Sequence, residues 1–279
     1  MSEKRISRSD LLKAGGAVAL GTATAGMMPK ALRGSVAMAQ EQFDREGPRN
    51  VMVIDLRKCI GCRGCTVTCK SENNVPLDVW NTVVKQEELE NGAFAKKVFL
   101  PRMCNHCEGT IQQSHGATYP PCVNACPRKD LGTAEWNGIE YYVGATYKRP
   151  DGAILYNSAE CVACYACVKA CPYGARHVDN FVTPGGPNPY NQYGIGKCIF
   201  CVQRIDNGVV PACVNTCEGR ARVFGDRKDP DSEVSQLINS FDTVHLLPEE
   251  NTMPQVYYID PDNVLSTFQK GEPFRDKVD

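Results

Sequence analysis

Cys59-Ile60-Gly61-Cys62-Arg63-Gly64-Cys65-Thr66-Val67-Thr68-Cys69 decides the reading of this chain. Three cysteines crowd one tight turn, and a fourth follows three residues later. Such a turn suits three corners of a [4Fe-4S] cubane, with the last corner closed from elsewhere. The same C-x2-C-x2-C-x3-C spacing returns at Cys161, Cys164, Cys167 and Cys171. Two looser groups complete the count: Cys104, Cys107, Cys122, Cys126 and Cys198, Cys201, Cys213, Cys217. None of the 16 cysteines is left over. Four groups of four predict four clusters.

Two rival explanations are weaker. Disulfide scaffolds are short secreted chains with more than about 8% Cys. Here 16 in 279 is less, and a C-x2-C-x2-C turn is poorly shaped for pairing with itself. Zinc sites use two C-x2-C-like pairs, and Cys198-x2-Cys201 with Cys213-x3-Cys217 has that form. Groups one and three do not, because three cysteines share one turn. Cys126-Pro127 and Cys171-Pro172 add the C-P ending seen in bacterial ferredoxins.

Composition bounds the rest. The chain has 279 residues, 42% of them hydrophobic, with 18 Pro and 24 Gly. That is enough for a core in a loop-rich fold of one or two domains. A net charge of -1 carries no nucleic-acid footprint. Clusters bound by thiolates add negative charge. Basic residues beside the cysteines (Lys58, Arg63, Lys70, Arg128, Lys129, Lys169, Lys197, Arg204) either offset it and tune potentials or are ordinary solvated loop residues.

Residues 1–40 read as a targeting segment. Lys4, Arg5 and Arg8 form a basic start, Ala14 to Met28 is apolar and small, and Ala37-Met38-Ala39 offers a cleavage site. The stretch is too short and too weakly apolar for a membrane span. Ser7-Arg8-Ser9-Asp10-Leu11-Leu12-Lys13 resembles the twin-arginine export motif, with Ser9 at the second arginine. Clusters are assembled in a reducing compartment, so an exported protein of this kind must cross already folded.

The remainder divides into a cysteine-bearing domain, 48–225, and a C-terminal part, 226–279, that packs on it. Val51 to Asp55 reads as a strand leading into group one, and Ala153 to Tyr156 does the same before group three. Helical stretches follow at Thr66 to Glu72 and Val168 to Tyr173. Gly138 to Gly144 and Gln255 to Ile259 read as strands. Glu233 to Phe241 has helical spacing, with Val234, Leu237, Ile238 and Phe241 on one face. The tail after Gly271 is polar. The expected fold is α+β: a duplicated bacterial ferredoxin fold of two interlocked 4Fe-4S modules with loop insertions.

From Val51 to Ile259 the chain resembles the iron–sulfur subunit of the molybdopterin oxidoreductases of the dimethyl-sulfoxide-reductase superfamily. The residues that carry this include Met52-Val53-Ile54-Asp55-Leu56, Leu100-Pro101-Arg102-x-Cys104-Asn105-His106-Cys107 and Pro121-Cys122-Val123-x-x-Cys126-Pro127. Others are Ala170-Cys171-Pro172-Tyr173-Gly174-Ala175-Arg176, Lys197-Cys198-x-Phe200-Cys201 and Pro211-Ala212-Cys213-Val214. The likeness is greatest to the subunits of tetrathionate, polysulfide, thiosulfate and arsenate reductases. Two stretches are insertions relative to that pattern, Gly109 to Tyr119 and roughly Leu131 to Val143. They are either partner contacts or passive loops.

The resemblance implies four ligand sets. Cluster one takes Cys59, Cys62, Cys65 and Cys217. Cluster two takes Cys69, Cys198, Cys201 and Cys213. Cluster three takes Cys104, Cys107, Cys122 and Cys171. Cluster four takes Cys126, Cys161, Cys164 and Cys167. Cluster one would face a catalytic subunit holding molybdopterin bis-guanine-dinucleotide. Cluster four would face a quinone-binding membrane anchor. The chain itself would be peripheral, on the periplasmic side of the cytoplasmic membrane, with a cytoplasmic location as the alternative. A rival reading is a free-standing ferredoxin-type carrier between a quinol dehydrogenase and another reductase. A third is a zinc-stabilised interaction module.

No catalytic constellation accompanies these cysteines. There is no serine triad, no phosphate loop, and Gly194-x-Gly196 lacks the rest of a dinucleotide fingerprint. His106 either hydrogen-bonds a cluster sulfur or is a plain surface histidine. His115 and His177 lie near cysteines, but the four sets are complete without them.

Overall fold

The apolar run Val51-Met52-Val53-Ile54 has no solvent exposure and forms the heart of the largest sheet. A computed structural model describes residues 47–91, 94–113, 116, 118–178 and 194–268. Strand β1 (Asn50–Asp55) leads to helix α1 (Gly64–Glu72). A long hairpin follows, β2 (Thr82–Asn91) with β3 (Phe94–Met103). Next come the small hairpin β4 (Ile111–Gln112) and β5 (Thr118–Tyr119), then the one-turn helix α2 (Pro121–Asn124). Two further hairpins, β6 (Gly132–Trp136) with β7 (Ile139–Val143) and β8 (Thr146–Lys148) with β9 (Ile154–Tyr156), precede helix α3 (Ala166–Lys169). The ribbon β10 (His177–Val178) with β11 (Ile195–Gly196) follows, then helices α4 (Val202–Ile205) and α5 (Ala212–Asn215). Strand β12 (Arg222–Asp226), helix α6 (Glu233–Ser240), and strands β13 (Thr243–Val244) and β14 (Val256–Ile259) come next, with short 3-10 turns at Pro248–Glu250 and Val264–Thr267.

The four-stranded sheet has the order β12-β1-β14-β13. β1 pairs antiparallel with β12 and parallel with β14. Alternate residues of a strand face opposite sides, and β1 uses both. Met52 and Ile54 enter the larger core with Leu100, Met103, Phe200, Tyr258 and the thiols of Cys65, Cys198 and Cys213. Val51 and Val53 pack under α6 against Val223, Val234 and Ile259. α6 starts where Ser232 caps it, its hydroxyl accepting from the Ser235 N–H at 3.3 Å. The Tyr258 hydroxyl donates to the Pro101 carbonyl at 2.9 Å and ties this sheet to the β2–β3 hairpin.

The expected strands at 51–55, 153–156, 138–144 and 255–259 are present as β1, β9, β7 and β14. The helix after group three is shorter than the spacing predicts and stops before Pro172, which cannot continue it. Residues 109–119 contain the β4–β5 hairpin, and 131–143 fold as β6–β7. The targeting segment 1–40, His115 and the tail after Gly271 lie outside the described residues. Among the described residues, no helix is long and apolar enough to cross a membrane.

Candidate metal centres

Each cysteine group opens on a C-x-x-C turn, and all four turns use one backbone device. The residue just before the second cysteine is left-handed in every case: Gly61 (φ 71°), His106 (43°), Ala163 (52°) and Phe200 (56°). For residues other than glycine this costs about 1–3 kcal/mol each. Four such turns at four equivalent places mark a function. A left-handed residue following right-handed ones turns successive N–H groups inward, making a concave seat for an anion such as an iron–sulfur cluster. At Gly61 the side chain must also be absent, because a Cβ there would lie 2.3 Å from the Phe99 ring.

Helices then carry the third and fourth cysteines of each group. Cys65 and Cys69 sit four residues apart on α1, and Cys122/Cys126, Cys167/Cys171 and Cys213/Cys217 span α2, α3 and α5 in the same way. Residues four apart share a face about 6 Å along the axis. Each helical turn thus presents one thiol to each of two neighbouring spaces. α1 packs on α5, and α2 packs on α3.

The outcome is four sets of neighbouring thiols. Cys59, Cys62, Cys65 and Cys217 line one small pocket. Cys126, Cys161, Cys164 and Cys167 line another. Cys69, Cys198, Cys201 and Cys213 lie within electrostatic reach of one another. So do Cys104, Cys107, Cys122 and Cys171. The Asn73 amide nitrogen bridges the second of these spaces, 3.6 Å from both Cys69 Sγ and Cys201 Sγ. Burial pushes the Cys69 thiol up to about 12 and Cys171 to about 11, with neighbouring thiols adding to the shift. Without metal these groups keep their protons, so ligation has to displace them.

The sets form a line. Cys65 and Cys213 act on each other across the first junction. Cys104 and Cys198 do so across the second, and Cys122 and Cys167 across the third. Cys62 and Cys164 are the exposed cysteines of the chain, and they lie in the two end sets.

A buried cation stands at each junction. The Arg222 guanidinium lies 3.8 Å from Cys213 Sγ and 3.2 Å from Met103 Sδ, and donates to Thr82 Oγ1 at 2.8 Å. Arg176 donates to Thr146 Oγ1 at 2.7 Å and to Cys122 Sγ at 3.4 Å. Lys197 has no solvent exposure and bonds the carbonyls of Ile154 and Cys198. Among the eight basic residues that stand beside cysteines in the sequence, Lys197 is thus the buried one at a junction. Arg204 pairs with Glu72 at 3.0 Å, Arg128 pairs with Glu160, and Lys58 reaches Asp55 at 3.7 Å. Lys70 lies over the Trp80 ring at 3.9 Å and donates to Val79 O. Reading cysteine neighbours alone misses Arg222. The signal lies one step further: Arg176 and Arg222 each follow an alanine and stand five residues after the fourth cysteine of their group.

His106 is not a surface histidine. It is fully buried and stacks on Phe200 with ring centroids 3.5 Å apart. Its Nδ1 accepts the Ile154 N–H at 3.0 Å. Burial, with Lys197 and Arg176 close by, pushes its pKa far down and keeps the ring neutral. His177 bonds the side chain of Asn81 at 3.0 Å.

The donor set suits [4Fe-4S] clusters. Among the described residues, no three side chains of His, Cys, Asp or Glu close on a point as a single ion requires. The thiols ring spaces instead, on turns built to receive an anion.

Comparison with known proteins agrees. Residues 95–227 match the family model of a 4Fe-4S dicluster domain. The chain is 37% identical over 223 residues to a tetrathionate reductase subunit of Salmonella typhimurium, covering 78% of this chain and 75% of the relative. It is 36% identical over 247 residues to a putative dimethyl sulfoxide reductase iron-sulfur subunit of Halobacterium salinarum, covering 81% and 82%. The iron-sulfur subunit of arsenate respiratory reductase from a Shewanella species is 34% identical over 249 residues, covering 75% and 94%. The chain therefore belongs to the family of iron–sulfur subunits of these reductases.

Proposed function

We propose that this chain is an electron-transfer subunit with one [4Fe-4S] cluster on each of the four thiol sets. The observation that carries this reading is the line of sets, with an exposed cysteine in each end set. A bound cluster accepts and returns single electrons. The chain's part is to hold the sulfurs, exclude water and keep neighbouring sets close. In this reading the two ferredoxin-like modules interlock, since each helical turn supplies ligands to two clusters.

Cys59, Cys62, Cys65 and Cys217 then hold cluster one, and Cys69, Cys198, Cys201 and Cys213 hold cluster two. Cys104, Cys107, Cys122 and Cys171 hold cluster three, and Cys126, Cys161, Cys164 and Cys167 hold cluster four. The end near Cys62 meets a molybdopterin catalytic subunit, and the end near Cys164 meets a quinone-linked membrane subunit. The relatives' names as reductase subunits support the first partner. The place we propose is the outer face of the cytoplasmic membrane.

The experiment compares Cys62→Ser and Cys164→Ser in the assembled complex. Both should stop quinol-linked turnover. Cys164→Ser should spare activity with a small artificial donor that feeds electrons near the catalytic subunit, because that donor bypasses the far end. Loss of both activities in a stably assembled Cys164→Ser complex would overturn the proposed order.

A further inference from the structure

Among the described residues, Arg176, Arg222 and Lys197 are buried with no carboxylate in ion-pair reach. Arg176 and Arg222 are each 3% exposed and Lys197 is 0% exposed. Their hydrogen bonds go to hydroxyls, carbonyls and sulfurs. Two nitrogens of Arg176, Nε and Nη1, have no hydrogen-bond partner. A buried charge left unpaired is among the most costly features a core can hold. Elsewhere in the same core the cost is met by acids, since Arg49 and Lys148 share Glu108 and Arg149 takes Asp151.

The groups that face the three cations are the thiols, which become anions on ligating a cluster, and each cation faces two sets. Arg222 lines the pocket of Cys59, Cys62, Cys65 and Cys217 of set one and lies 3.8 Å from Cys213 Sγ of set two. Lys197 bonds the Cys198 carbonyl of set two, and its charge reaches Cys104 and Cys122 of set three as well as Arg176. Arg176 donates to Cys122 Sγ of set three at 3.4 Å and hydrogen-bonds the Cys167 thiol of set four. One cation thus stands at each of the three junctions.

We propose that Arg222, Lys197 and Arg176 set the reduction potentials of the clusters two at a time, each cation acting on both clusters that flank its junction. This rests on the four-cluster reading above. A fixed positive charge favours the more negative, reduced state of a nearby cluster and raises its potential. Because each cation is shared, it lifts two neighbours together and leaves the step between them nearly unchanged. The inner two clusters each border two cations, and the end clusters border one.

The test is a redox titration of the anaerobically purified complex, followed by electron paramagnetic resonance. Iron is counted in every sample. Wild type must show four clusters, and fewer would defeat the four-cluster reading rather than this one. Arg222→Gln should lower two of the four potentials, each by on the order of tenfold in the reduction equilibrium, about 59 mV for one electron. Arg176→Gln should lower the other two. Lys197→Met should lower one member of each pair. This pattern needs no prior assignment of signals. Arg222→Lys and Arg176→Lys keep the charge and should leave all four potentials within about twofold of wild type. If a Gln variant loses a cluster, its Lys counterpart carries the test. Potentials that fall in the Lys variants as far as a lost charge predicts would show that charge is not the agent. Gln variants that shift one cluster, all four alike, or overlapping pairs would overturn the proposal.

Discussion

Two groups of buried basic residues occupy one core and meet opposite surroundings. At the start of β1 and the end of β8, Arg49 and Lys148 converge on Glu108. Beside them Arg149 holds Asp151 at 2.8 Å and Asp206 at 2.7 Å, and lies over the Trp136 ring at 4.8 Å. These charges are neutralised by the chain itself. Along the line of thiols, Arg222, Lys197 and Arg176 bond sulfurs and neutral polar groups, and Arg176 also lies close enough to repel Lys197. The first group pins the β6–β7 hairpin and the central loops to the sheet. The second is balanced only when anionic clusters occupy the thiol sets. Burial alone therefore does not tell a structural cation from a functional one. What decides is whether the chain supplies the counter-charge.

The largest effect should come from removing iron. Structural metal sites supply about 10–16 kcal/mol of folding free energy in small zinc-dependent domains. In the proposed reading the anionic clusters, with their thiolates, would also balance the three junction cations. Stripping it under anaerobic conditions should abolish protease resistance over residues 50–225 and most of the ordered circular dichroism. An iron-free protein with both intact would break the contrast, because the junction cations would then tolerate burial unaided.

Glu108→Ala comes next. It leaves Arg49 and Lys148 buried and facing each other, which should cost about 3–5 kcal/mol. The measurement is denaturant unfolding of the holo complex, alongside iron content of the folded fraction, which should not change. Iron lost in proportion to stability would show that the two groups of cations are not independent.

Asp206→Ala should have the smallest effect. Its carboxylate is 39% exposed and Arg149 keeps Asp151, so the loss should be about 1 kcal/mol or less by the same unfolding measurement. A loss as large as that of Glu108→Ala would mean that Arg149 depends on its outer partner.

Much of this was legible in the sequence. The spacing of Cys59 to Cys69 identifies the donors, and the α6 periodicity and the β1 apolar run place the sheet and its covering helix. Helices α2 to α5 are single turns, too short for any period to show. The β2–β3 hairpin was not legible. Glu87-Glu88-Leu89-Glu90 has no alternation, and Pro101 argues against a strand except at an edge, where β3 sits, pairing only with β2. The junction cations were half legible. Lys197 stands beside Cys198, but Arg222 stands five residues past Cys217 and is singled out only by the repeat that also places Arg176. Burial of His106 was hidden as well, since the stack on Phe200 joins loops about 94 residues apart.

The central claim is that four clusters occupy four thiol sets. Iron and acid-labile sulfide, counted per chain in anaerobically purified complex, test it most directly. The account predicts about sixteen of each per chain, four per cubane. About eight of each, the content of a dicluster domain alone, or zinc in place of iron, would contradict it.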